Sequence, residues 1–239
     1  MVIGMVGGMG SYATLDIFRR YLSEFPAEKE WDRPRMIIDN NCTMPSRVLA
    51  ALYGTKREQL ISEMTESVRG LLASGCTHMF LGCNTAHIFL DEVLQNVPEA
   101  KEKMINLIEF CAQDISGCGE NMSLALVATE GTVETGIYQK TFQKYGIEIV
   151  QPNQEKYLAM RDVIEAVKQN KVTEQTVDDF CTLLESFGTE GIVLGCTEFP
   201  VLYSHYRERV DGTGIRIFDP IDALLKYLRA EYERGKRDE

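Results

Sequence analysis

Residues 80 to 89 read FLGCNTAHIF and residues 193 to 202 read VLGCTEFPVL, so Leu-Gly-Cys followed by a small polar residue occurs at Cys83 and again at Cys196. Each cysteine follows an apolar, strand-like run and stands where a helix is expected to begin. Ligands of open α/β sheets bind beyond the carboxyl ends of the strands. The unpaired N–H groups of a first helical turn favour anions there and lower a thiol pKa, and Asn84, Thr85 and Thr197 offer amides and hydroxyls to a carboxylate. Inverting a stereocentre that bears an acidic hydrogen needs a base on one face and an acid on the other. A facing thiolate and thiol supply both and exchange roles for the reverse direction. Such a pair carries one proton between its members, because two neighbouring thiolates would repel and titrate together. No cofactor is required by this chemistry. It does require donors aimed at the negative charge that develops as the α-hydrogen leaves.

Five further cysteines, at 42, 76, 111, 118 and 181, have no such setting and are assigned the ordinary part of small core hydrophobes. Seven cysteines with no close C-x-x-C pair argue against a disulfide framework and a zinc ribbon, and the histidines at 78, 87 and 205 form no ligand spacing, so no metal is expected. The turn GMVGGMG places its glycines at 4, 7, 8 and 10, which does not make the G-x-G-x-x-G of a dinucleotide loop. A formal charge of −11, with no basic patch beyond the tail Arg234-Gly-Lys-Arg237, disfavours nucleic acid as a partner. No apolar run approaches the roughly 20 residues that span a bilayer, and the start MVIGMVGGMG lacks the features of a signal peptide. A cytoplasmic protein without a membrane partner is the expectation.

Positioning the two thiols falls to alternating strands and helices. MVIGMV, RMIID, THMFL, LALVA, IEIV, GIVL and IRIF are short β-rich runs, mostly apolar on both faces as buried parallel strands are. Lys56 to Ser74 sets Leu60, Ile61, Met64, Val68, Leu71 and Leu72 on one helical face, and Thr173 to Phe187 and Pro220 to Tyr232 also read as helices, the last with a frayed, charged end. The pattern predicts an α/β fold with parallel sheets. It also repeats: VIGMVGGMG opens a first half that closes in one LGC turn, and LALVATEGT opens a second that closes in the other. In 239 residues this predicts two similar α/β domains related by a pseudo-twofold axis, with the cysteines facing each other across a cleft.

IGMVGGMGSYAT at the start, DNNCTMPSR at 39 to 47, LGCNTAH at 81 to 87, ATEGTVETGIYQK at 128 to 140 and LGCTEFPVL at 194 to 202 together resemble the aspartate racemase family, in the family's order and over nearly the whole chain. The resemblance implies a cofactor-independent amino-acid racemase, usually a homodimer, with catalytic cysteines at Cys83 and Cys196. It implies that the last strand and helix, from about Asp211, return to the first domain, giving residues 1–104 with 211–239 and residues 105–210. It places Asn84, Thr85 and Thr197 around the substrate's α-carboxylate and Met9 and Gly10 along the cleft. Arg47 would meet the side-chain carboxylate, assisted by Lys168 near the end of YLAMRDVIEAVK; in so acidic a chain an anionic substrate needs local positive charge.

The chain departs from the family in Ser11, where proline usually follows the glycine, and in Cys42, where proline is common. Glutamate racemases, a more distant resemblance, open with Asp-Ser-Gly and carry histidine after the second Cys-Thr; here that position is Glu198, which orients Cys196 or caps its helix. The expected activity is racemisation of aspartate, with glutamate as a secondary substrate. The alternatives are a broad-specificity racemase, a dicarboxylate isomerase and a non-catalytic carboxylate-binding protein, the last having no need of two opposed proton carriers.

Overall fold

The structure, a computed structural model, describes residues 1–118 and 122–237. Eight strands lie among the described residues: β1 (Val2–Gly7), β2 (Arg35–Asn40), β3 (His78–Leu81), β4 (Met104–Ile105), β5 (Leu124–Ala128), β6 (Ile149–Val150), β7 (Gly191–Gly195) and β8 (Arg216–Phe218). They form two four-stranded sheets, β2-β1-β3-β4 and β6-β5-β7-β8, with every pairing parallel. The second order is the first shifted by four strands, so the expected α/β architecture with two alike halves is present. The fully buried β5 and β7 show why both faces of the central strands are apolar. The dipeptide strand β4 is too short to leave a periodic signal.

Twelve helices accompany them among the described residues: α1 (Ser11–Glu24), α2 (Arg47–Tyr53), α3 (Arg57–Ala73), α4 (Leu90–Asn96), α5 (Leu107–Gly117), α6 (Glu130–Glu134), α7 (Ile137–Gln143), α8 (Gln154–Lys168), α9 (Glu174–Glu185), α10 (Glu198–His205), α11 (Arg207–Asp211) and α12 (Pro220–Arg237). On the first sheet, Leu60, Met64, Val68 and Leu71 of α3 pack one face with Leu90 and Val93 of α4, while Ile17 and Tyr21 of α1 and Ile221, Leu224, Leu225 and Leu228 of α12 pack the other. The second sheet is covered by α8, α9 and α10 on one face and by α5 and α7 on the other.

The chain's return differs from the expectation. The last strand, β8, pairs with β7 in the second sheet (Ile192 opposite Ile217), and only α12 crosses to the first sheet. The reason is reciprocal: α5, which follows β4 of the first sheet, packs on the second, α12, which follows β8 of the second, packs on the first, and the two helices lie against each other. Nor does α12 end at Tyr232. It runs through Arg237, held by Arg229–Glu233 and Arg234–Glu231 pairs and by Tyr232 and Lys236, which donate to the Asp32 carbonyl. Cys76 and Cys111 are buried as assigned, whereas Cys42, on the loop after β2, and Cys118, at the end of α5, are exposed and Cys181 is half-buried. Among the described residues no helix is long and apolar enough to cross a membrane.

Candidate active site

In each sheet the first and third strands are neighbours at the centre, with the second strand on one side and the fourth on the other. The chain changes direction between them, and ligands bind at that switch point beyond the strand ends. Cys83 follows β3 and Cys196 follows β7, so both thiols stand at switch points. The glycine turn after β1 occupies the same level. Gly8 has φ +80 and a Cβ there would fall 2.4 Å from the backbone of Asn41, so only glycine fits. Its N–H donates to Thr14 Oγ1 (2.9 Å), and that hydroxyl donates to the Gly10 carbonyl (2.9 Å).

Contacts across the junction follow the pseudo-twofold relation. Gly10 of the first opening turn lies against Glu198, two residues beyond Cys196; a Cβ on Gly10 would sit 2.4 Å from Glu198 Oε1. Gly131 of the second opening turn lies against Thr85, two residues beyond Cys83, at 3.5 Å by the same measure. The Thr197 hydroxyl donates to the Gly82 carbonyl (3.4 Å), joining one cysteine turn to the other. Thr85, Thr129 and Thr132 bring their hydroxyls within 2.9 to 3.0 Å of one another, and Tyr138 donates to Asn84 Oδ1 (2.9 Å).

The two thiols are held differently. Cys196 leads directly into α10, as expected, but the lowered thiol pKa expected at a helix start is reversed. Burial pushes Cys196 well up, and the charge of Glu198 and the hydrogen bond from Sγ to Glu198 Oε2 (2.9 Å) add to it, over the opposing Glu198 N–H and Lys168. Cys83 leads into a 3₁₀ turn, Thr85–Phe89, before α4 begins, which replaces the expected helix. That turn is pinned by His87, buried between the Cys83 carbonyl (Nδ1, 3.0 Å) and the Leu107 N–H (Nε2, 3.2 Å). With Nε2 accepting, the proton belongs on Nδ1, and burial holds the ring down to about 4, so it stays neutral.

Met9, Gly10, Asn84, Thr85 and Thr197 therefore gather with both cysteines at the junction, and all but the half-buried Gly10 are buried. Arg47, the first residue of α2 behind its Ser46 cap, donates to the Met9 carbonyl (2.6 Å) and the Pro45 carbonyl (3.1 Å). Lys168, the last residue of α8, pairs with Glu165 (3.2 Å); although burial works to lower its pKa, Glu198, Cys196 and Glu165 together raise it, which sets its ammonium in the field of the Cys196 turn. Asn84 Nδ2, Arg47 Nε and Glu198 Oε1 are buried with no hydrogen-bond partner. A cleft of about 420 Å³ opens beside them between α2 and α8, lined by Ser46, Val48, Thr129, Arg161, Ile164 and Lys168. A larger hollow of about 750 Å³ lies at the amino ends of the second sheet's strands, away from both thiols.

Sequence reasoning missed His87 as the anchor of the Cys83 turn and Thr129, Thr132 and Tyr138 as partners across the junction. His87 stands in LGCNTAH and the other three in ATEGTVETGIYQK, but pairing across the cleft is a property of the folded chain.

Known proteins share this fold and the sequence pattern. The family model described as "Asp/Glu/Hydantoin racemase" matches residues 6–228. A glutamate racemase from Lactobacillus acidophilus is 25% identical over 219 residues, covering 90% of this chain and 76% of that one. The broad specificity amino-acid racemase RacX of Bacillus subtilis is 24% identical over 217 residues, covering 87% and 90%. Among solved structures, Picrophilus torridus aspartate racemase superposes with a TM-score of 0.81 at 25% identity, covering 97% and 94%. The chain is thus an enzyme of the amino-acid racemase class, an isomerase. It belongs to the Asp/Glu/hydantoin racemase family.

Proposed function

We propose that the enzyme racemises an acidic amino acid, aspartate first and glutamate second, by a two-base mechanism in which Cys83 and Cys196 are the proton carriers. The observation that carries the proposal is the placing of the two cysteines at equivalent switch points of the two sheets, with Thr197 bonded to Gly82 between them. One sulfur, as thiolate, takes the α-hydrogen and becomes a thiol. The other thiol delivers its proton to the opposite face of the planar carbanion and becomes the thiolate. Each proton is accounted for by the two sulfurs, so no cofactor enters. The negative charge that builds on the α-carboxylate meets Asn84, Thr85 and Thr197.

The case for an acidic substrate rests on unpaired donors. A buried polar group without a partner is uncommon in a native fold, and Asn84 Nδ2 and Arg47 Nε are two such donors at the junction. Two carboxylates, one at the α-carbon and one on the side chain, would satisfy both, with Lys168 adding charge. A broader amino-acid range is the second reading, favoured by the two backbone carbonyls that already engage the Arg47 guanidinium. A homodimer, as the family resemblance implies, belongs to the proposal and is read by sedimentation.

Purified enzyme should be given single enantiomers of aspartate, glutamate and neutral amino acids, and chirality followed by chromatography. Aspartate from either enantiomer should reach a 1:1 mixture, glutamate should follow more slowly, and dialysis against chelator and hydroxylamine should change neither rate. A neutral amino acid turned over faster than aspartate would transfer the assignment to the broader reading.

A further inference from the structure

The Cys196 thiol points at a buried carboxylate that fits against the glycine of the opposite opening turn. Glu198 is buried, its Oε2 accepts from Cys196 Sγ at 2.9 Å, and its Oε1 fills the space where a side chain on residue 10 would begin. Lys168 at the end of α8 faces the pair; Tyr138 of α7 is in the field of both thiols, and on the far side of α10 Ser204 donates to Asp16 of α1. At Cys83 the residue in the equivalent position is Thr85, a neutral hydroxyl turned to Thr129 and Thr132. Among the described residues no carboxylate is hydrogen-bonded to the Cys83 sulfur.

We propose that Glu198 is a positioning residue that biases the single active-site proton toward Cys196, so that the resting enzyme holds its acid at Cys196 and its base at Cys83. This rests on the two-thiol reading and adds a direction to it. When Cys83–S⁻ takes the α-hydrogen and Cys196–S–H gives its proton to the carbanion, a thiolate is left 2.9 Å from a carboxylate. Like charges so placed in a buried site raise the energy of that form, and Lys168 offsets only part of the repulsion. The resting population therefore serves first the enantiomer whose α-hydrogen faces Cys83. Because two enantiomers are equal in energy in water, kcat/KM must be the same in both directions, and the bias shows as unequal kcat and unequal KM that cancel in the ratio. The upward push on the Cys196 thiol by burial and Glu198 agrees with this order.

The order is readable without turnover. Full-length enzyme is alkylated with iodoacetamide from about pH 6 to about pH 10, and modification of each cysteine is followed by mass spectrometry. Cys83 and Cys196 are nearly alike in exposure, 8% and 5%, so access alone does not set the sequence of reaction. Cys83 should react at a lower pH than Cys196, and Glu198→Gln should bring the Cys196 profile down by about one pH unit, a tenfold gain in thiolate, while leaving that of Cys83 in place. The same variant should bring the kcat and KM values of the two enantiomers together. A Cys196 that reacts at or below the pH of Cys83 in the wild type, or a profile unmoved in Glu198→Gln, overturns the proposal even in an active racemase. Absence of racemisation would instead strike the functional reading and leave the alkylation order to stand or fall alone. Should Glu198→Gln not fold, the wild-type order decides, with Gly10→Ala as the second variant, since its methyl displaces Oε1 without removing a charge.

Discussion

Two residues beyond Cys83 the chain carries Thr85, and two residues beyond Cys196 it carries Glu198; each lies against the glycine of the opposite opening turn, Gly131 or Gly10. The backbone frame is duplicated, yet the chemistry around it is not. On the Cys83 side, neutral hydrogen bonds from Thr129, Thr132, Tyr138 and His87 hold the turn. On the Cys196 side, a buried carboxylate bonds to the sulfur and the Lys168 ammonium adds its field. Pseudo-symmetry thus fixes where the two cysteines stand, and in the proposed two-thiol mechanism their unlike neighbours set how readily each gives up its proton.

Removing either sulfur is the heaviest test of the duplicated frame. Cys83→Ala and Cys196→Ala should each lower racemisation of aspartate by at least about a thousandfold, within the range for losing a positioned acid or base. In the proposed mechanism every turnover, in either direction, uses both. Each variant keeps one carrier, so each should still exchange the α-hydrogen of one enantiomer with solvent deuterium, and the two variants should choose opposite enantiomers. Exchange of the same enantiomer by both would mean that the thiols do not face opposite sides of the α-carbon.

Arg47 comes next, because it belongs to the first half alone and breaks the symmetry of the cleft. Arg47→Ala should cost on the order of 2 to 5 kcal/mol in kcat/KM for aspartate, as for a buried charge pair that loses a partner. Arg47→Lys should cost less, since an ammonium keeps the charge without the planar fork. The guanidinium also ties the Met9 and Pro45 carbonyls, so part of the loss is common to all substrates. The decisive quantity is the ratio of aspartate to a neutral amino acid such as alanine in wild type and both variants. An unchanged ratio would reduce Arg47 to a tether of the glycine turn.

The frame was legible in the sequence because it is written in local chemistry. Apolar runs such as LALVA and GIVL mark strands buried on both faces, and Leu-Gly-Cys at 83 and 196 marks their ends. Partners across the cleft were not legible. Glu198 sits two residues from Cys196 in the sequence, but its orphaned Oε1 against Gly10 depends on the two halves meeting. The exchange of α5 and α12 was half visible: an amphipathic helix after β8 could be read, but nothing local says which sheet it covers.

His87 tests the neutral side of the comparison through stability. Its ordinary pKa is about 6.5, and burial holds it at about 4 in the fold. The unfolded chain therefore takes up a proton that the folded chain refuses, so the contribution of His87 is complete above pH 6.5 and falls as pH drops toward 4. The loss is on the order of 3 kcal/mol. Asp219, which burial pushes up against the pull of Arg20, acts in the opposite sense over the same acid range, so the wild-type slope alone decides nothing. Urea unfolding of wild type and His87→Gln should instead differ in slope, the variant losing less stability on acidification. Parallel curves would show that the ring takes up its second proton as readily in the fold as in the unfolded chain, and Nε2 could then not be the acceptor of the Leu107 N–H.

The smallest effect is expected at Tyr138, and its shape matters more than its size. Tyr138→Phe keeps a ring that is fully buried and packed on Phe142 (5.5 Å), and removes one hydrogen bond, the one to Asn84 Oδ1. An uncharged bond of this kind is worth about 1 kcal/mol net, and leaving a buried acceptor unpaired sets the upper end at roughly 3 kcal/mol. The lower figure corresponds to about fivefold in rate if Asn84 stabilises charge only in the transition state. Burial, then the charges of Cys111, Asp219 and both site thiols, push the phenol well up, so it carries its proton throughout the working range. The loss should therefore be the same at every pH where the enzyme is folded, whereas a loss produced at Glu198 or Lys168 should vary with pH. A loss at Tyr138→Phe that tracks pH would make the phenol a proton carrier in its own right, and the division between a neutral and a charged side of the site would no longer hold.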